Sequence, residues 1–223
     1  MKGRNIFIFI FLIVLADQAL KIYIKTHYHV GESHQVIGQW FRLYFIENEG
    51  MAYGWKLGGE WGKMLLTIFR LAAVIFGVFY IKDIIRKKYH KGFIICAALI
   101  FAGALGNLID SMFYGLIFEG SSIDTLNVAK IFPAHGYAGF LHGNVVDMLY
   151  FPIIRDTTFP QWVPFWGGQD FEFFRPIFNI ADASISSGII AILVFQKRFF
   201  NAKKEFNQTL ETNTLINDEN QVS

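Results

Sequence analysis

Apolar residues gather along this chain in four stretches, each near the roughly 20 residues a helix needs to cross about 30 Å of hydrocarbon. They run over 5–24 (NIFIFIFLIVLADQALKIYI), 64–81 (MLLTIFRLAAVIFGVFYI), 92–110 (GFIICAALIFAGALGNLID) and 177–195 (IFNIADASISSGIIAILVF). Two of the connecting segments are long. In 25–63, the run Gln39-Trp40-Phe41-Arg42-Leu43-Tyr44-Phe45-Ile46 reads as a short strand closed by a turn at Asn48-Glu49-Gly50. The 111–176 segment, dense in Pro, Gly and aromatic residues, reads as an irregular or partly helical cap lying on the membrane. From 201 onward the chain is polar and is expected to be disordered. The pattern predicts an all-α membrane protein with four transmembrane helices, a small extracytoplasmic β-rich cradle and an irregular or helical outer cap. One domain would cover 1–200, followed by a tail over 201–223.

Charge orients the bundle. Lys2 and Arg4 precede the first stretch. Lys82, Arg86, Lys87, Lys88 and Lys91 separate the second from the third, and Lys197, Arg198, Lys203 and Lys204 follow the fourth. If four helices alternate direction, all of these residues fall on one side, which the positive-inside rule makes cytoplasmic. Both termini are then cytoplasmic and the two long segments lie outside. The N-terminus has the look of a cleavable signal, with Val14-Leu15-Ala16 as a processing site. The apolar pattern resumes after Lys21, however, and an uncleaved first helix is expected.

Composition agrees with a membrane protein. Twenty-five Phe among 223 residues is more apolar surface than one soluble core hides. A formal charge of +2 gives no reason to expect nucleic acid. The lone Cys96, inside an apolar run, rules out a disulfide framework and reads as a small buried hydrophobe.

Ionisable residues within spanning helices are costly and mark candidate sites. Asp17 and Lys21 are spaced i, i+4 in the outer part of the first helix. Asn107 and Asp110 end the third, and Asn179 and Asp182 begin the fourth. Asp182 precedes Lys197 by about 22 Å of helix, again in the outer third. Three helices thus bring carboxylates and amides to one depth. Plainer readings stand beside this one: a structural Asp17–Lys21 ion pair, asparagines as interhelical glue, and Arg70 snorkelling to the outer interface. His135 and His142 fit no metal-ligand spacing, HExxH and G-x-S-x-G are both missing, and neither metal nor cofactor is expected.

Two close carboxylates can hydrolyse a peptide bond without metal or nucleophile. They share one proton, so the ionised partner activates water while the protonated one polarises the scissile carbonyl. Asp17, Asp110, Asp147 and Asp182 are the candidates. Asp17 is the poorest base because Lys21 pairs it, and spacing does not choose among the other three.

Five motifs in order resemble the bacterial lipoprotein signal peptidase family (signal peptidase II). Asp17-Gln18-Ala19-Leu20-Lys21 resembles its D-x-x-x-K, and Asn48-Glu49-Gly50-Met51-Ala52-Tyr53 its N-x-G-x-A-F, with Tyr for Phe. Gly106-Asn107-Leu108-Ile109-Asp110 matches G-N-x-x-D, Gly143-Asn144-Val145-Val146-Asp147 resembles G-x-V-x-D, and Phe178-Asn179-Ile180-Ala181-Asp182 matches F-N-x-A-D. The resemblance implies an aspartic endopeptidase whose dyad is Asp147 and Asp182. Asn48, Gly50, Asn107 and Asn179 would line its site, with Asp17, Lys21 and Asp110 in support. It further implies prolipoprotein substrates cut just before a diacylglyceryl-modified cysteine, contact with membrane lipid, sensitivity to globomycin-type inhibitors, and a place in the bacterial inner membrane with the site at the outer face. Ser111 stands where the family commonly has Arg, with Arg155 or Arg175 as expected substitutes. The stretches 112–142 and 149–175 are longer than the family needs. A small transporter or a non-catalytic scaffold are the alternatives. A transporter would need polar residues in the inner helix halves, which here are nearly all apolar.

Overall fold

The computed structural model describes residues 3–49, 59–152, 154–173 and 176–200. Helices α1 (Gly3–His27), α2 (Gly59–Arg86), α3 (Lys91–Ile117) and α4 (Ile180–Phe200) carry the four apolar stretches, and all four are long and apolar enough to cross a membrane. The central helix is α3, packed against α1 and α2. The outer helices turn Phe11, Leu15, Phe69, Phe76, Ile190 and Leu193 outward. In a bilayer such faces meet lipid, whose tails are as apolar as they are.

Two helix boundaries differ from the sequence pattern. The fourth helix starts at Ile180 rather than at 177, because Asn179 caps it: its Oδ1 accepts the backbone N–H of Asp182 at 2.8 Å. The third helix continues past 110. Its backbone widens into a π turn over Asp110–Tyr114 and then finishes with Gly115–Ile117. Such bulges are frequent at functional sites.

The described residues also contain six strands: β1 (Ser33–Ile37), β2 (Phe41–Asn48), β3 (Val145–Tyr150), β4 (Ile154–Thr158), β5 (Asp170–Phe173) and β6 (Ile177–Phe178). An antiparallel sheet has the order β1-β2-β3-β6, and β4 and β5 form a separate hairpin. The expected strand corresponds to β2, partnered by β1, but pairing continues through Asn48, where the turn was expected to begin. The 111–176 segment departs from the expected irregular or helical cap, since it contains β3 and the hairpin. Residues Val145 to Met148 of β3 are all buried, so no polar alternation marks the strand in the sequence. Gly50 and the 201–223 tail lie outside the described residues.

Apolar packing is split in two. One cluster joins Ile6, Ile84, Phe93, Ile94 and Phe199 near one end of the bundle. The other joins Ile24, Phe45, Tyr114, Phe118, Val146 and Met148 where the sheet meets α1 and the end of α3. Along α1, Asp17 and Lys21 fall between them.

Candidate active site

Asp147 and Asp182 reach one site from unrelated elements. Asp147 is on β3, opposite Ile46 of β2, with Asn48 diagonal to it because Asn48 pairs with Val145. From there Asn48 Nδ2 donates to Asp147 Oδ2 at 3.3 Å. Asp182 is in the first turn of α4, where the helix dipole favours a carboxylate. Asn179 connects the two. While its oxygen caps α4, its Nδ2 donates to Asp147 Oδ1 at 2.7 Å. Asn107 of α3 holds the other acid, donating through Nδ2 to Asp182 Oδ1 at 2.7 Å.

A second acidic pair lies behind the first and is used up by one lysine. Lys21 Nζ is 2.9 Å from Asp17 Oδ2, 2.7 Å from Asp110 Oδ2 and 2.9 Å from Asn107 Oδ1, so its three N–H donors are all engaged. Gln18 Nε2 donates to Asp110 Oδ1 at 2.8 Å, and Asp17 Oδ1 accepts the backbone N–H of Ala181 at 2.9 Å. Both carboxylates are at most 1% exposed. Of the four candidate acids, then, Asp17 and Asp110 are bound into an ion cluster, while among the described residues Asp147 and Asp182 are held only by neutral amides.

The cluster also fixes the amides. Lys21 and Asn179 both donate to Asn107 Oδ1, at 2.9 and 3.2 Å, so the Asn107 NH₂ must face Asp182. Two close approaches require glycine. A Cβ at Gly106 would sit 2.7 Å from Asp17 Oδ2, and one at Gly143 would sit 2.1 Å from the Asp110 carbonyl oxygen.

One face of α2 was missed as a source of site residues. Lys63 donates to Asn144 Oδ1, Thr67 Oγ1 to the Leu141 carbonyl at 3.1 Å, and Arg70 Nη1 to Ser111 Oγ at 2.8 Å. Lys63 and Thr67 pin α2 to the chain that leads into β3, and Arg70 pins it to the π turn of α3. Arg70 therefore does not reach out for the interface. Its charge acts on Asp182 first, then on Asp110 and Asp147. Arg175 and the side chain of Arg155, the expected substitutes for the missing arginine, lie outside what is described. Lys25 was also missed: fully buried, it pairs with Glu47 and lies over the rings of Tyr137, Phe118 and Phe45 at 5.0, 5.6 and 5.9 Å. Its signal was its spacing, one helical turn beyond Lys21 on the same face of α1.

Asp147 is only 1% exposed. Burial pushes its carboxyl up to about 7, and the Asp182 charge adds to this, while Asn48, Lys21 and Asn179 oppose it. An acid that still holds its proton near neutrality, coupled to a second carboxylate, can protonate a carbonyl while its partner deprotonates water. Among the described residues no group of His, Cys, Asp and Glu could hold a metal ion.

Comparison with known proteins shows the family. Residues 9–198 match the family described as Signal peptidase (SPase) II. A lipoprotein signal peptidase of Porphyromonas gingivalis (strain ATCC BAA-308 / W83) is 42% identical over 220 residues, covering 98% of this chain and 94% of the relative. Another, of Amoebophilus asiaticus (strain 5a2), is 33% identical over 190 residues, covering 84% and 75%. A bacterial membrane enzyme solved by the in meso method at 2.3 Å resolution superposes with a TM-score of 0.55. It is 26% identical, with 91% of this chain and 93% of that one covered.

Proposed function

The chain belongs to the signal peptidase II family, membrane aspartic endopeptidases that cleave the signal peptides of prolipoproteins, and on that premise we propose that Asp147 and Asp182 are its catalytic dyad. The observation that carries the assignment is the division of four acids, three of them buried and Asp182 partly so, into two pairs. Lys21 pairs with both members of one, and among the described residues only asparagines hold the other. A water between the dyad carboxyls loses a proton to the ionised member as its oxygen attacks the scissile carbonyl carbon. Asp147, placed to carry the shared proton, gives it to the carbonyl oxygen. The resulting diol collapses as the C–N bond breaks and a proton passes to the departing amine, leaving one acid and one amine. Burial keeps bulk water away, which strengthens each of these electrostatic steps.

The finer reading of substrate and setting follows from the family and the charge pattern. The cut falls just before a diacylglyceryl-modified cysteine, with the acyl chains in lipid against the outward apolar faces of the helices. Globomycin-type cyclic peptides compete for the same site. Residues 1–200 act as one peptidase domain in the bacterial inner membrane, with both termini cytoplasmic and the dyad at the outer face. The eleven Lys and Arg residues that flank the spans on one side support this orientation.

The test is cleavage of a diacylated and a non-diacylated precursor by the parent enzyme, Asp147→Asn and Asp182→Asn. The parent is expected to cut the diacylated precursor only, and each variant to fold and cut neither. Near-normal turnover by either variant overturns the dyad. Equal turnover of both precursors overturns the lipid requirement.

A further inference from the structure

Arg70 is a half-buried cation in a spanning helix, an expensive place for one unless it has work there. Its only hydrogen bond among the described residues goes to Ser111 Oγ at 2.8 Å. That hydroxyl is oriented, because it donates its own hydrogen to the Asn107 carbonyl at 3.0 Å and so presents a lone pair to Arg70. Ser111 is 1% exposed and sits in the π turn that follows Asn107, the residue holding Asp182. The guanidinium is therefore seated where it feels both dyad charges, with four of its five N–H donors open among the described residues. Lys21, the buried cation behind it, has none to spare.

A peptide can be cut only where its scissile bond is presented to the dyad, and there its backbone carbonyls lack helical partners. Within a membrane each such carbonyl is costly unless a donor meets it. Resting on the dyad assignment above, we infer that Arg70, seated on Ser111, holds a backbone carbonyl of the signal peptide beside the scissile bond. Ser111 is then a positioning residue that acts through Arg70.

Steady-state cleavage of a diacylated precursor by Arg70→Met, Arg70→Lys, Ser111→Ala and the double variant Arg70→Met/Ser111→Arg tests this. Losing a charged hydrogen bond made equally in substrate and transition state raises KM with little change in kcat. Arg70→Met should raise KM roughly tenfold or more. Arg70→Lys should fall between it and the parent. The double variant, which places a guanidinium on α3 at the vacated seat, should recover most of the loss. A parental KM in Arg70→Met, a loss in kcat alone, or a double variant no better than Arg70→Met each overturns the inference. If Arg70→Met does not fold, Ser111→Ala must raise KM by itself, and an unchanged KM there is equally decisive. Failure of the dyad assignment would appear elsewhere, as retained kcat in Asp147→Asn.

Discussion

Replacing Lys21 with Met removes the one cation that pairs with two buried carboxylates. Asp17 and Asp110 both touch the same ammonium, at 2.9 and 2.7 Å, so their oxygens lie less than about 6 Å apart. At that separation and an effective dielectric of about 20, two like charges repel by about 3 kcal/mol. Breaking a buried ion cluster by removing one partner costs about 3–5 kcal/mol, so the two figures agree. Lys21→Met should therefore unfold at a much lower temperature than the parent in detergent. Adding Asp110→Asn removes the repulsion, while an amide oxygen there still accepts from Gln18, so the double variant should regain most of that stability. Cleavage should not return with it, because Asn107 keeps only Asn179 as a donor to its oxygen and is less firmly aimed at Asp182. A Lys21→Met enzyme as stable as the parent, or an Asp110→Asn change that deepened the loss, would refute this reasoning.

Other consequences are as specific. Asp182→Asn should lower single-turnover cleavage by roughly a thousandfold or more at an unchanged melting temperature. Gly106→Ala forces a methyl to within 2.7 Å of Asp17 Oδ2 and 3.2 Å of the Ala181 Cβ, an overpacking that should cost about 1–3 kcal/mol in thermal unfolding. Asp17→Asn should lower yield and stability before it touches kcat; loss of catalysis alone would show that its role is not structural. Because Asp147 must be protonated to act and its carboxyl is pushed up to about 7, kcat should fall as pH rises through neutrality. A kcat that climbs through the same range would count against Asp147 as the acid.

Much of this was legible along the chain because a bilayer leaves few choices. Apolar runs of spanning length had to be helices, and polar groups within them had to meet at one level, as Asp17, Lys21, Asn107, Asn179 and Asp182 do. Telling the four acids apart was not possible from spacing, since it turns on which of them Lys21 reaches, and Asp110 is 89 positions from it. The strand carrying Asp147 was hidden because β3 is buried on both faces and shows no alternation. Arg70 was read as snorkelling to the outer interface because its partner lies 41 positions away on a π turn that no local pattern announces.

Infrared titration of the Asp147 carboxyl in the detergent-solubilised enzyme, identified by its absence in Asp147→Asn, measures the coupling on which catalysis depends. A protonated carboxyl band should be present at pH 6 and be lost near pH 7. In Asp182→Asn, with the like charge removed, that loss should move to lower pH. A band lost in the ordinary carboxylate range, at a pH that Asp182→Asn leaves unchanged, would mean that the two acids do not share a proton.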